Sequence, residues 1–208
     1  MYNLFYYNID KMSDEIYKSE IAKLPRLRRE EIERKKNYGD RKRSLAGEIL
    51  VRKYLSRLYN MPEDEITLAK GLHGKPYVTN LNAHFSISHS GCYTVVAISN
   101  EPIGIDIEVL GDFSAIVAHK TFNTDERNYV AGNSPFRKKS QMEKAFYEIW
   151  TAKEAYLKFT GEGLSGGINS LSFEGNYNKI YPKIKNIELT YDYSVPGAIT
   201  AIVTAKRK

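Results

Sequence analysis

The chain has 208 residues and a mass of 23.8 kDa, is 42% hydrophobic and contains 16 tyrosines. That length and apolar content suit one domain or two closely packed lobes, and exclude a disordered polypeptide. A lone cysteine, Cys92, excludes an internal disulfide framework, and no run reaches the roughly 20 apolar residues of a membrane span.

The first ten residues lack a basic lead and an unbroken apolar run, so they do not read as a secretory signal. The expectation is a cytoplasmic protein with no membrane partner. The formal charge of +6 is unevenly placed, because residues 26 to 57 hold 12 Lys/Arg against 5 Asp/Glu. An anionic partner for this segment is one reading, and two solvated helix faces the other.

In chain order, Tyr2 to Ile9 reads as an opening strand. Ser13 or Asp14 caps a helix with Tyr17, Ile21 and Leu24 at helical spacing, and Pro25 stops it. A short charged helix follows over Arg26 to Lys36. Asp40 is expected to cap a longer helix to Tyr59, burying Leu45, Ile49, Tyr54, Leu55 and Leu58. Arg41, Lys42 and Arg43 in its first turn oppose the helix dipole, which points to an anion there or to simple solvation.

Ile66 to Ala69 reads as a short strand and Gly71 to Pro76 as a turn, in which Gly74 permits close approach to the backbone. Phe85 to Ser88 is strand-like and runs into Ser88-His89-Ser90-Gly91, two hydroxyls and an imidazole able to hydrogen-bond phosphate oxygens. Neither Ser88 nor Ser90 stands in a Gly-x-Ser-x-Gly elbow of a hydrolase, and His73, His84, His89 and His119 lack zinc-ligand spacing. Tyr93 to Ser99 and Ile103 to Val109 read as adjacent strands joined by a tight turn.

In the second of these, Ile103, Ile105, Ile107 and Val109 point one way and Gly104, Asp106 and Glu108 the other. The two carboxylates are then roughly 6.6 Å apart on one face and can share a cation. With no imidazole or thiol beside them, the oxygen-only set suggests a hard ion such as Mg²⁺, which works with substrate phosphates. The bland alternative is a strand showing Asp-x-Glu to water.

Short helices are expected over Phe113 to Lys120 and Asp125 to Ala131, the latter capped by Asn123 or Thr124. A long amphipathic helix follows over Arg137 to Phe159, with Met142, Phe146, Ile149, Trp150 and Leu157 apolar. Glu154 stands four residues after Trp150 and four before Lys158, so one helical edge carries an aromatic, a carboxylate and an ammonium. Strands close the chain at Leu171 to Phe173, Ile184 to Tyr191 and Ala198 to Thr204, and the basic residues 206–208 read as a frayed tail.

Gly104-Ile-Asp-Ile-Glu108 followed by Trp150-Thr-Ala-Lys-Glu-Ala-Tyr-Leu-Lys158 resembles the paired signature of the 4′-phosphopantetheinyl transferases. Gly74-Lys75-Pro76 and Phe85-Ser-Ile-Ser-His-Ser90 resemble two upstream motifs of that family's larger, surfactin-synthetase-activating type. The likeness covers about residues 74 to 165, with Ser86 standing where the family often has Asn.

The resemblance implies an α+β fold of two similar lobes about a pseudo-twofold axis, residues 1–102 on the nucleotide side and 103–208 carrying metal and catalytic helix. It implies transfer of 4′-phosphopantetheine from coenzyme A to a serine of an apo acyl- or peptidyl-carrier protein. Asp106, Glu108 and Glu154 would bind Mg²⁺, with Mn²⁺ the alternative, and Glu154, Lys158 and Asp106 would be catalytic. Arg43, Lys75, Pro76, Ser88, His89, Lys153 and Lys158 would hold coenzyme A. A monomer that binds no nucleic acid is expected. Two rivals are a nucleic-acid-binding module using the basic segment and a Mg²⁺-dependent phosphohydrolase using the same carboxylates.

Overall fold

A computed structural model describes residues 1–163, 167–177 and 180–206. The protein is α+β and divides into two compact units, Met1–Glu101 and Pro102–Lys208. No described helix is long and apolar enough to cross a membrane.

The first unit runs β1 (Tyr2–Asn8), a 3-10 turn (Ile9–Lys11), α1 (Asp14–Ala22), α2 (Arg26–Glu33), α3 (Tyr38–Tyr59), β2 (Leu68–Lys70), β3 (Pro76–Val78), β4 (His84–Ser90) and β5 (Tyr93–Ser99). Ser13 caps α1 by accepting from the Ile16 N–H at 3.3 Å. The longer helix starts earlier than Asp40: Asn37 is the cap and accepts from Gly39 N–H at 2.7 Å. An amide side chain in extended conformation does this capping as well as a carboxylate, which leaves Asp40 inside the first turn. Asn60 ends α3 with a left-handed backbone, φ 50°.

Leu45, Ala46, Leu50, Val51 and Leu55 form the buried stripe of α3, whereas Leu58 is 60% exposed. Leu50, Val51 and Leu55 pack on Phe85, Val96 and Ile98 of an antiparallel sheet ordered β1-β5-β4, while Leu45 and Ala46 cluster with Ile9, Met12 and Tyr17. Gly47 makes the approach possible, since a Cβ there would sit 3.0 Å from Ile87 Cγ2. Because β5 is hydrogen-bonded by β1 on one edge and β4 on the other, it has no edge left for Ile103–Val109, and the expected pairing does not form.

The second unit runs β6 (Ile103–Val109), α4 (Ala115–Thr121), α5 (Thr124–Ala131), α6 (Lys139–Thr160), β7 (Phe173–Gly175), β8 (Ile180–Pro182), β9 (Ile187–Asp192) and β10 (Ala198–Ala205). Here β6 pairs antiparallel with β10, placing Asp106 opposite Ala201, and β10 pairs with β9. Asn123 caps α5 in a reciprocal capping box with Glu126. The core of this unit gathers Phe146, Ile149, Ala152 and Ala155 of α6 against Phe122, Val130, Phe173, Ala201 and Val203. The motif stretch ending at residue 165 and the basic tail at 206–208 run partly outside the described residues.

Candidate active site

The signature strand is buried on both faces as far as Ile107, which the alternation of isoleucine with Gly104 and Asp106 did not foretell. Its polar face meets α6. A Cβ at Gly104 would lie 2.1 Å from Ala155 O and 2.3 Å from Phe159 N, so only glycine lets the helix backbone rest on the strand. That contact fixes the height of α6 over β6. Two residues along the same face, Asp106, 4% exposed, accepts from Lys158 Nζ at 2.7 Å.

Glu154, one turn before Lys158, shares this corner. Its carboxyl is pushed above the ordinary carboxylate value by burial and then by the negative charge of Asp106, while Lys158 draws it down. Of the aromatic partners, Trp150 stacks on Phe146 with centroids 6.2 Å apart and joins the core of the unit. Among the described residues, no group of three or more His, Cys, Asp or Glu is gathered as a set of metal ligands. Mg²⁺ needs only one or two protein carboxylates when phosphate oxygens complete its shell. The oxygen-only pair Asp106 and Glu154, whose charges act on each other, fits such an ion.

Lys153, expected at the phosphates, is elsewhere. It is 1% exposed, lies 3.1 Å from Glu126 Oε1, and donates to Thr121 O at 3.3 Å. Its neighbour Glu154 is about 100° round the helix, so the two side chains leave on different faces. Glu126 is itself fully buried and accepts from Asn123 N–H at 2.8 Å and Phe173 N–H at 3.0 Å. The ammonium is thus an internal tie between α6, the start of α5 and β7. The Asn-x-x-Glu capping box of residues 123–126 was the readable sign of this buried acid.

In the first unit Arg43 turns to the β4–β5 hairpin. It donates to Gly91 O at 2.7 Å and pairs with Asp40. His89, exposed on the same hairpin, acts on Asp40 together with Arg43 and Lys35, and the Arg43 hydrogen bond is the largest of the influences holding that carboxyl down. Ser88 points to the opposite face of β4 and is 5% exposed. Lys75 and Pro76 stand on the β2–β3 hairpin, where burial lowers the pKa of the lysine.

Two of the cations at the start of α3 are held by backbone carbonyls. Arg41 donates to Lys35 O at 2.7 Å and Lys42 to Met12 O at 2.6 Å. Deeper in the segment, Arg28 and Arg52 grip the buried Glu48 at 2.9 and 3.0 Å, and Arg52 also holds the carbonyls of Glu63 and Ile66. Much of the basic run is therefore internal scaffolding.

Comparison with known families agrees with these groupings. A profile described as 4′-phosphopantetheinyl transferase, N-terminal, matches residues 11–101, and one for the 4′-phosphopantetheinyl transferase superfamily matches residues 102–195. The chain belongs to the 4′-phosphopantetheinyl transferase superfamily. Arg43, Lys75 and His89 fall within the first match, and Asp106, Glu154 and Lys158 within the second. The 4′-phosphopantetheinyl transferase gsp of Aneurinibacillus migulanus is 38% identical over 156 residues, 74% of this chain and 64% of that protein. The transferase Sfp of Bacillus subtilis (strain 168) is 35% identical over 146 residues, 70% of this chain and 63% of its own. Psf-1 of Bacillus pumilus is 34% identical over 134 residues, 64% and 56% respectively. The matched stretches thus span less than two thirds of these curated relatives. The likeness to the surfactin-synthetase-activating type, drawn from four short motifs, is borne out.

Proposed function

We propose that this protein transfers the 4′-phosphopantetheine arm of coenzyme A to a serine of an apo acyl- or peptidyl-carrier protein. The observation that carries the reading is the corner where Lys158 Nζ lies 2.7 Å from Asp106 and the charges of both act on Glu154, within a chain of the transferase superfamily. In the reaction the serine oxygen bonds to the phosphorus bearing the pantetheine, and the bridging oxygen leaves with 3′,5′-ADP.

Glu154 takes the serine proton, directly or through a water; burial and Asp106 raise its basicity above that of an ordinary carboxylate. Lys158 stabilises the charge growing on the departing phosphate. Asp106 and Glu154, joined by Glu108, would hold Mg²⁺ or Mn²⁺, which when bound supplies charge neutralisation on the diphosphate. Arg43, Lys75, Ser88 and His89 bind the phosphates and nucleotide of coenzyme A, with Pro76 against the adenine. Residues 1–102 form the nucleotide side and 103–208 the catalytic side of a cytoplasmic monomer.

The test is intact-protein mass spectrometry of an apo carrier protein incubated with this protein, coenzyme A and Mg²⁺, beside an EDTA control. The expected outcome is a metal-dependent gain of one phosphopantetheine. Release of 3′,5′-ADP without any carrier would instead mark a phosphohydrolase, and no gain with several carriers would end the transferase reading.

A further inference from the structure

A cavity of about 300 Å³ opens among α5, α6 and the strands β7 to β9 of the second unit, at the lower end of the range for small-molecule sites. Tyr129, Tyr181 and Tyr191 line it together with Phe173, and Glu148 is its one charged side chain among the described residues. The Tyr129 hydroxyl donates to Glu148 Oε2 and the Tyr193 hydroxyl to Oε1, each at 2.8 Å, and the Tyr191 hydroxyl donates to the backbone oxygen of Glu148, also at 2.8 Å. Glu148, its side chain 14% exposed, is thus held by three phenols. Burial first, and then the bond to Glu148, pushes the Tyr129 phenol up to about 12, so it remains a donor at neutral pH. The cavity is separate from the transfer corner: none of Asp106, Glu154 and Lys158 lines it, and Glu148 stands six residues before Glu154, about 120° round the helix.

We infer that this cavity binds the trimethylammonium group of a small organic cation, its aromatic lining meeting the methyl groups and the Glu148 carboxylate the charge. Aromatic rings beside a carboxylate attract a cation through the ring quadrupole and the full negative charge together. The chain already sets its own cations against two rings of this cluster, Lys144 Nζ 4.8 Å from the Tyr193 centroid and the Arg137 guanidinium 5.8 Å from that of Tyr129, and neither residue lines the cavity. The hydrogen-bonding state of Glu148 selects the kind of cation. Its Oε1 accepts from Tyr193 and lies 3.7 Å from Lys144, and its Oε2 accepts from Tyr129, so little acceptor capacity is left over. A primary ammonium would bring three N–H donors into a site short of acceptors, at a desolvation cost. A quaternary ammonium has no N–H to satisfy and needs only charge and ring contact.

The experiment is an NMR titration of the amide signals of the full chain with three probes: choline, ethanolamine, and the uncharged alcohol in which carbon replaces the choline nitrogen. Choline is expected to give saturable shifts at the residues lining the cavity, with a Kd at least about fivefold below those of the other two probes. Tyr181 is 51% exposed, so its ring can be removed with the fold intact, and thermal melting checks this. Tyr181→Ala should raise the choline Kd about fivefold, whereas Tyr181→Phe, which keeps the ring, should leave it near that of the unsubstituted protein. Glu148→Gln should weaken choline without weakening the uncharged alcohol. Absence of saturable shifts with choline overturns the inference. Equal binding of the uncharged alcohol overturns it too, since the cavity would then be merely apolar, and equal binding of ethanolamine removes the preference for a quaternary cation. Because the titration needs neither coenzyme A nor a metal, its failure leaves the transferase reading standing, and failure of that reading leaves this inference intact.

Discussion

Glu154 is held where its charge is disfavoured: burial acts first, Asp106 second, and Lys158 opposes both. Between the ordinary value of 4.5 and the raised one, the folded protein binds more protons than the unfolded chain. The stability from this group is complete below the ordinary value and is lost as pH rises through the raised one. Glu154→Gln should therefore melt no lower than the unsubstituted protein at pH 7, while transfer falls by about 10²–10⁴. A marked drop in Tm would show that the carboxylate is instead part of the scaffold. In metal-free protein, Asp106→Asn should lower the Glu154 titration and Lys158→Met should raise it. Carbon-13 NMR of the glutamate carboxyls reads both, and movement in the opposite direction would refute this account of the corner.

At the scale of elements, the site depends on how α6 is seated. Gly104 sets its distance from β6, and the Lys153–Glu126 tie sets its rotation. Gly104→Ala drives a methyl into the helix backbone, so a loss of about 1–3 kcal/mol in urea unfolding is expected, together with loss of transfer as Lys158 moves from Asp106. Wild-type activity in a stable Gly104→Ala protein would contradict this. Lys153→Ala leaves Glu126 buried and unpaired, with a cost of about 3–5 kcal/mol. The double variant Lys153→Met, Glu126→Gln should recover most of that stability. If the single and double variants were equally unstable, the pair would not be the cause.

For the whole molecule, coenzyme A with Mg²⁺ should stabilise the fold by mass action. At a hundredfold excess over Kd the gain is about 2.7 kcal/mol, or roughly 5–10 °C in Tm. EDTA should reverse part of the shift, and a Tm indifferent to both would count against the proposed ligands. The formal charge of +6 is a poor guide to partners in comparison, because Arg28, Arg41, Lys42 and Arg52 are already engaged with internal carboxylates and carbonyls. Each unit has its own apolar core, around Leu50 and Val51 in the first and Phe146 and Ile149 in the second.

Local pattern by itself determined a good deal. The 3–4 spacing of apolar residues located both long helices, alternation located β6, and the signature residues named the family. Local chemistry also sufficed for the Ser13 and Asn123 caps, since a cap is satisfied within three residues of chain. What remained illegible involves distant partners. Which strand β6 joins depends on the edges of β5 being occupied by β1 and β4. That Lys153 is internal while Lys158 meets Asp106 depends on Glu126, 27 positions away, being buried in reach of one ammonium and not the other. Side-chain identity is written in the sequence, but burial and counter-charge belong to the packed molecule, because they are set by groups far apart along the chain.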